Sequence, residues 1–359
     1  MTFNNGLEGV VAAETVLSEV DGEAGRLVLR GHRLPDIAGQ RSVEWLIAEL
    51  WRGFAQGNLS EPVVRRDLAA MRVAVFDDIL PLLSQASRLA PIEALRLLVA
   101  AISDDAPDLP LRLTATVAVG LAATLRARGG AAPVPPDATL GHTADLLRML
   151  RGAPAAADEI AALETYLLSA MDHGLNASTF TARVVSSTAA GLASSVTAAL
   201  CALKGPLHGG APGPVIDMLD EIGTPENAEA WLDAAVVRGD RLMGFGHRVY
   251  RVTDPRSDVV KAVVESLGRD LGRLRFAEQI EQAALAVLAK RKPARSLQTN
   301  LEFYTALLLE ALQVPRDAFT GVFACARVAG WVAHALEQGG AGRLIRPQSV
   351  YVGPLPAAA

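Results

Sequence analysis

The 359 residues are half apolar and one-fifth charged, with a formal net charge of −5 and a pI near 5.8. That composition supplies a sizeable core and argues against a chain whose task is to coat nucleic acid. The length allows two domains, or one large domain carrying an insertion. Two cysteines, Cys201 and Cys325, exclude a disulfide framework, and both sit in apolar runs where a thiol behaves as a small hydrophobe. The opening MTFNNGLEG lacks a basic region followed by an apolar stretch, so no secretory leader is expected. No uncharged apolar tract reads as a membrane span, and the expectation is a soluble, cytoplasmic protein. Of the 34 basic residues four are lysine (Lys204, Lys261, Lys290 and Lys292) and the other 30 arginine. A bias that also favours Ala, Gly and Pro explains most of these, so only arginines in unusual settings count as signals.

In chain order, residues 15–20 and 26–30 flank a D-G-E-A-G turn and predict a small hairpin. Val43, Leu46, Ile47 and Leu50 fall at i, i+3, i+4, i+7, the period of a one-faced helix. Breaks rich in Pro and Gly at 104–110 and 129–137 read as surface connections between helices. Residues 174–203 predict a helix in which Arg183 is the only charge. Val260, Val263, Val264 and Leu267 repeat the helical period. Residues 318–336 predict a second charge-poor helix, with Arg327 alone in it. The fold class is mainly α. Helices apolar all round are buried, and their small side chains suit close approach to a second copy of the chain. A lone buried guanidinium is costly without an anion; Arg327 needs either a structural Asp or Glu or a bound carboxylate.

Three histidines lie beside glycines near helix starts. His173, in MDHGLNAST, precedes a helix that Asn176 or Ser178 would cap. His208, in KGPLHGGAPGP, precedes a helix begun by Pro212 or Pro214; a helix N-terminus favours a neutral ring able to donate to an oxyanion. His247 lies in MGFGHRVYRVTDPR, where Asp254 and Pro255 read as the N-cap and first residue of a helix. Arg256 then sits in a first turn that disfavours a cation unless an anion binds there. Gly244 and Gly246 allow close backbone approach, but Val249 stands where a dinucleotide fingerprint needs glycine. No H-x-x-x-H or C-x-x-C spacing appears, so a metal is not expected.

Taken together, GPLHGG, MGFGHRVY followed by DPR, FYTALLLEALQVP, ARVAGWVAH and IRPQSVY resemble the citrate synthase family, as do GLEGVVAAET and the hairpin. The resemblance runs from about Leu7 to Tyr351. It implies a mainly helical homodimer: a large helical domain of residues 1–209 and 314–359, and a small inserted one of 210–313 that closes over substrates. The implied reaction condenses acetyl-CoA with oxaloacetate and then hydrolyses the thioester, without metal or permanently bound cofactor. By motif, His208 hydrogen-bonds the thioester oxygen and His247 protonates the oxaloacetate carbonyl. His173, Arg256 and Arg327 hold carboxylates, with Arg346 reaching in from the other subunit. Gly244, Phe245 and Gly246 line the adenine of CoA, and Arg251 meets a CoA phosphate.

One position departs from the pattern. The family's base is an aspartate in an N-x-D-F/Y context, and here TNLEFY carries Glu302. A general base is worth ~10²–10⁴ in rate, and a misplacement of about 1 Å can cost on the order of 10²-fold. Thr299-x-x-Glu302 also reads as a capping box; with the other site residues in place, Glu302 is assigned as the base. Trp331 and His334 are assigned to core packing and Arg183 to a structural ion pair. The alternatives are a 2-methylcitrate synthase using propionyl-CoA, a binding or regulatory relative, and citryl-CoA cleavage.

Overall fold

The charge-poor run near the C-terminal end becomes the helix Phe319–Ala341, in which residues 321–335 are all buried. In this computed structural model, which describes residues 6–7, 9–210 and 212–354, it packs against the helices Ala177–Ser186, Leu109–Arg128, Leu192–Leu203, Ala157–Ala170 and Val43–Trp51. Contrary to the sequence expectation, this stretch is long and apolar enough by composition to cross a bilayer, but 89 % of that window is buried inside the protein. It is a core helix. Close approach is built in at Gly330, where an added Cβ would stand 2.1 Å from the Met171 carbonyl oxygen.

The other charge-poor stretch forms two helices rather than one. Ala177–Ser186 and Leu192–Leu203 are separated by a bend with Ala189 at φ 59° and Gly191 at φ 103°. Asp104 fills the bend by accepting from the Ala193 N–H (2.7 Å) and the Ser194 hydroxyl (2.6 Å), satisfying groups that a new helix start leaves open. Cys201 is exposed, unlike Cys325. Arg183 pairs with Glu337 and is bonded to Gln338.

Residues 212–311 carry a second set of helices, among them Pro212–Ile222, Pro255–Leu267 and Leu301–Ala311, packed on one another. They meet the remaining helices mainly where Pro255–Leu267 lies on Ala157–Ala170. The N-terminal strands Ser18–Asp21 and Arg26–Leu29 pair antiparallel, Val20 opposite Leu27. The first begins three residues later than the sequence pattern places it. A third strand, His32–Arg33, was not legible because two residues hold no period; it pairs with Val28 and Leu29. The hairpin turn docks on the loop after His247. The Gly22 carbonyl accepts the Arg251 N–H (2.9 Å), and a Cβ on Gly22 would stand 2.2 Å from the Val249 oxygen.

Candidate active site

Where Gly330 meets Met171, the chain turns out of the helix Ala157–Ala170 into Asp172 and His173, both buried. Asp172 accepts from the His173 N–H (2.8 Å) and faces His334 Nε2 (3.0 Å). Arg327, 1 % exposed, donates from Nε to the Ala170 carbonyl (2.7 Å) and lies over the Phe323 ring at 4.9 Å. No carboxylate forms an ion pair with it among the described residues, though the charges of Asp172 and Glu302 favour its own, and its buried Nη1 has no hydrogen-bond partner. Burial lowers its pKa to about 10, with Arg256 adding repulsion. Such a group stores an unmet demand for an anion.

Asn176 caps the helix Ala177–Ser186 by accepting from the Thr179 N–H (3.1 Å). Near its start, the Ser178 N–H donates to His208 Nε2 (3.3 Å) and the Ser178 hydroxyl lies 2.7 Å from the same nitrogen. The helix start that meets His208 is therefore this one, not the one that follows it in sequence. The backbone N–H needs Nε2 as an acceptor, whereas the Ser178 hydroxyl, which donates to Asn176 Oδ1 (2.8 Å), is left to accept from that nitrogen. Burial and the Arg327 charge lower the His208 pKa to about 4, so the ring is neutral at pH 7. Trp331, assigned to core packing, donates from Nε1 to Ser178 Oγ (3.1 Å) and so belongs to the support of His208. His334 likewise does more than pack, lying between Asp172 and Arg183 Nη1 (3.0 Å).

The loop from Met243 to Asp254 is tied to residues 298–300. Gly246 N–H donates to the Gln298 carbonyl (2.7 Å), Asn300 N–H to the Gly244 carbonyl (3.0 Å), and Asn300 Nδ2 to the Gly246 carbonyl (3.0 Å). Gly244 and Gly246 take φ of +87° and +82°, a region L side chains rarely adopt. A Cβ on either would strike Phe303 or Leu297 at 2.8 Å, so protein packing as well as any ligand demands glycine there. Past the glycines, His247 Nδ1 accepts from the N–H groups of Val249 (3.0 Å) and Tyr250 (3.1 Å). Its proton is thereby on Nε2. Burial, then Arg256, lowers this histidine to about 4. Arg256 Nη2 lies 3.4 Å from His247 Nε2.

Asp254 caps the helix Pro255–Leu267 and grips Arg256 with both oxygens, at 3.0 Å to Nε and 2.7 Å to Nη2. The anion expected beside Arg256 is thus partly this carboxylate. Burial opposes the guanidinium charge, but Asp254 outweighs it and raises the pKa. Asp254 also accepts from the Leu301 N–H at 3.4 Å, joining Arg256 to the start of the helix Leu301–Ala311.

That helix is capped by Asn300, which accepts from the Glu302 N–H (3.2 Å). The capping box drawn from Thr299 and Glu302 is not formed. Thr299 instead donates to Glu281 (2.5 Å), and the Glu302 carboxylate meets its own backbone N–H. Burial raises the Glu302 pKa, with Arg256 pulling it back. A raised carboxylate beside neutral imidazoles is the usual setting for proton transfer.

One cleft of about 770 Å³ is lined by His173, His208, His247, Glu302, Arg256, Arg327 and the backbone from Gly244 to Gly246. Two residues assigned from sequence are not in its lining. Arg251 is exposed, and Arg346 lies exposed in the segment after the last helix. Sequence reasoning missed Arg241 and Arg248, which line the cleft; Arg241 precedes the singled-out motif and Arg248 lies within it, but arginine bias hid them. It also missed Ser18 and Val20 of the hairpin, which form another wall.

A family model described as "Citrate synthase, C-terminal domain" matches residues 6–348. A "putative citrate synthase 2" of Mycobacterium tuberculosis is 38 % identical over 358 residues, covering 99 % of this chain and 94 % of its own length. A "2-methylcitrate synthase" of the same organism is 34 % identical, covering 98 % and 91 %. Among solved structures, the citrate synthase of Thermotoga maritima superposes with a TM-score of 0.89 at 33 % identity, covering all of this chain and 98 % of the other. That of Thermoplasma acidophilum, determined as a ternary complex with carboxymethyl coenzyme A and oxaloacetate, gives 0.88 at 27 % identity, covering 100 % and 98 %.

Proposed function

Because the chain belongs to the citrate synthase family, whose members transfer an acyl group and form citrate, we propose that it condenses acetyl-CoA with oxaloacetate, giving citrate and coenzyme A. The observation that carries this reading is a single cleft holding three imidazoles that burial keeps neutral, a carboxylate whose pKa burial raises and two buried guanidinium groups. The ternary complex of the Thermoplasma acidophilum enzyme supports the choice of substrates.

In this reading Glu302 removes a proton from the acetyl methyl while His208 donates to the thioester oxygen, where charge develops. A donor so placed is worth roughly 10²–10³ in rate. The enol carbon attacks the ketone carbon of oxaloacetate. The carbonyl electron pair moves onto its oxygen, which takes the proton of His247 Nε2. Water then hydrolyses the citryl thioester and coenzyme A leaves as the thiol. Arg327, Arg256 and His173 hold the oxaloacetate carboxylates, and Arg346 comes from a second copy of the chain in a homodimer. The Gly244–Gly246 backbone with Phe245 lines the adenine, and Arg251, joined by Arg241 and Arg248, meets the phosphates. Residues 210–313 close over the substrates as the smaller domain. The protein works in the cytoplasm, without metal.

The test is release of coenzyme A on mixing acetyl-CoA and oxaloacetate with the purified dimer. No release at high enzyme concentration overturns the reading. The relative named 2-methylcitrate synthase supports a second reading, in which propionyl-CoA is the thioester. One methylene shifts discrimination by only ~1–3 kcal/mol, so kcat/KM for the two thioesters has to be compared directly.

A further inference from the structure

Tyr250 touches two of the cleft's imidazoles with different parts of itself. Its backbone N–H donates to His247 Nδ1 (3.1 Å), and its hydroxyl lies 3.1 Å from His173 Nε2. The side chain is 1 % exposed. Its ring sits 4.8 Å from His247 and 5.4 Å from His173, centroid to centroid, while the two imidazoles are 5.2 Å apart. We infer that Tyr250 is a positioning residue that sets the tautomers of both histidines, so that each presents an N–H donor to the substrate; this rests on oxaloacetate being that substrate.

The reasoning is one of hydrogen-bond accounting. A buried hydroxyl requires an acceptor for its proton. Among the described residues the only hydrogen-bond partner of the Tyr250 hydroxyl is His173 Nε2. The phenol therefore donates, Nε2 accepts, and the proton of the neutral His173 ring resides on Nδ1. An N–H there meets the residue's own backbone carbonyl and can be shared with a carboxylate or carbonyl oxygen; the opposite tautomer would present a lone pair and repel both. At His247 the Tyr250 backbone N–H, with that of Val249, does the same from the other side and leaves the proton on Nε2. One residue thus orders both rings as donors before substrate arrives, which lowers the cost of binding.

Tyr250→Phe removes the hydroxyl, keeps the ring, and leaves the backbone contact to His247 intact. Two measurements on the full-length protein decide the matter. Nitrogen-15 spectra of the six histidines are expected to show His173 moving from one tautomer toward a mixture, with His247 unchanged. Calorimetric titration with oxaloacetate alone is expected to show about tenfold weaker binding, the scale of one net hydrogen bond, while KM for acetyl-CoA stays within about twofold. An unchanged His173 spectrum, or unchanged oxaloacetate affinity, overturns the inference. If the unsubstituted protein binds no oxaloacetate at all, the condensation reading itself falls, and the spectrum alone judges Tyr250.

Discussion

Glu302 is longer by one methylene than the aspartate its motif leads one to expect, and its side chain lines the cleft while meeting its own backbone N–H. Glu302→Gln should lower turnover by ~10²–10⁴ and leave oxaloacetate binding within about twofold, measured as coenzyme A release and by calorimetry. Unchanged turnover would remove Glu302 from the chemistry. The pH dependence follows from the same residues. The proposed reaction needs Glu302 ionised and both imidazoles neutral; burial lowers the two histidines to about 4, whereas burial holds Glu302 above the ordinary carboxylate value. On acidification Glu302 is therefore protonated first, and the acid limb of kcat/KM should lie above ~4.3 and track this residue. A limb centred near 6.5, the ordinary histidine value, would contradict this assignment. Arg327, buried with an orphan Nη1, should trade stability for binding. Arg327→Met is expected to raise the ligand-free Tm by about 2–4 °C and weaken oxaloacetate binding by about 10²-fold or more. At this scale the sequence was informative. A histidine fenced by glycines or an arginine alone in an apolar helix is out of place on its own terms. Ser178 and Trp331 were not legible, because their part depends on a ring 30 residues away for one and on Ser178 for the other.

Among elements, the loop bearing His247 and the helix bearing Glu302 are joined by the pairing of Gly244 and Gly246 with residues 298–300. Nothing local predicts that pairing, since more than 50 residues and two helices intervene. Glycine signalled a special backbone at 244 and 246 but not what approached it, and the approaching group is largely the protein itself. The break between Ala177–Ser186 and Leu192–Leu203 escaped notice because an Ala- and Ser-rich bend with one glycine keeps helical composition. The hairpin turn, which was read, proved to touch the catalytic loop. Gly22→Ala must push the Val249 carbonyl away, and Val249 N–H holds His247. The expected result is a loss in kcat/KM on the order of 10²-fold in a protein that still folds as judged by its melting transition. Full activity would show that the hairpin merely covers the loop.

For the whole molecule, the connection between the two sets of helices includes Glu159, which pairs with Arg151 on one side and Arg269 on the other. The hydrogen bond from Arg151 is the main reason its pKa falls to about 2. A depressed carboxylate pKa contributes stability above the unfolded value, ~4.3, which is lost as pH falls toward the folded value. Glu159→Gln should thus lower Tm at pH 7 by about 5 °C, and the difference should shrink between pH 4.5 and 2 in thermal melts. A gap that persists at pH 2 would mean that shape rather than charge is at stake. The mainly helical architecture was readable from periodicity; the way its parts converge on one cleft was not, since contacts far apart in sequence create it. Gly330 has a practical bearing on anyone wishing to retool this pocket. Because Met171 rests against it with no room for even a methyl group, Asp172, His173 and the carbonyl that steadies Arg327 descend from one inter-helix spacing. Libraries aimed at new acyl chains should spare that joint, because a shift there lifts the foundation on which the acid grip stands.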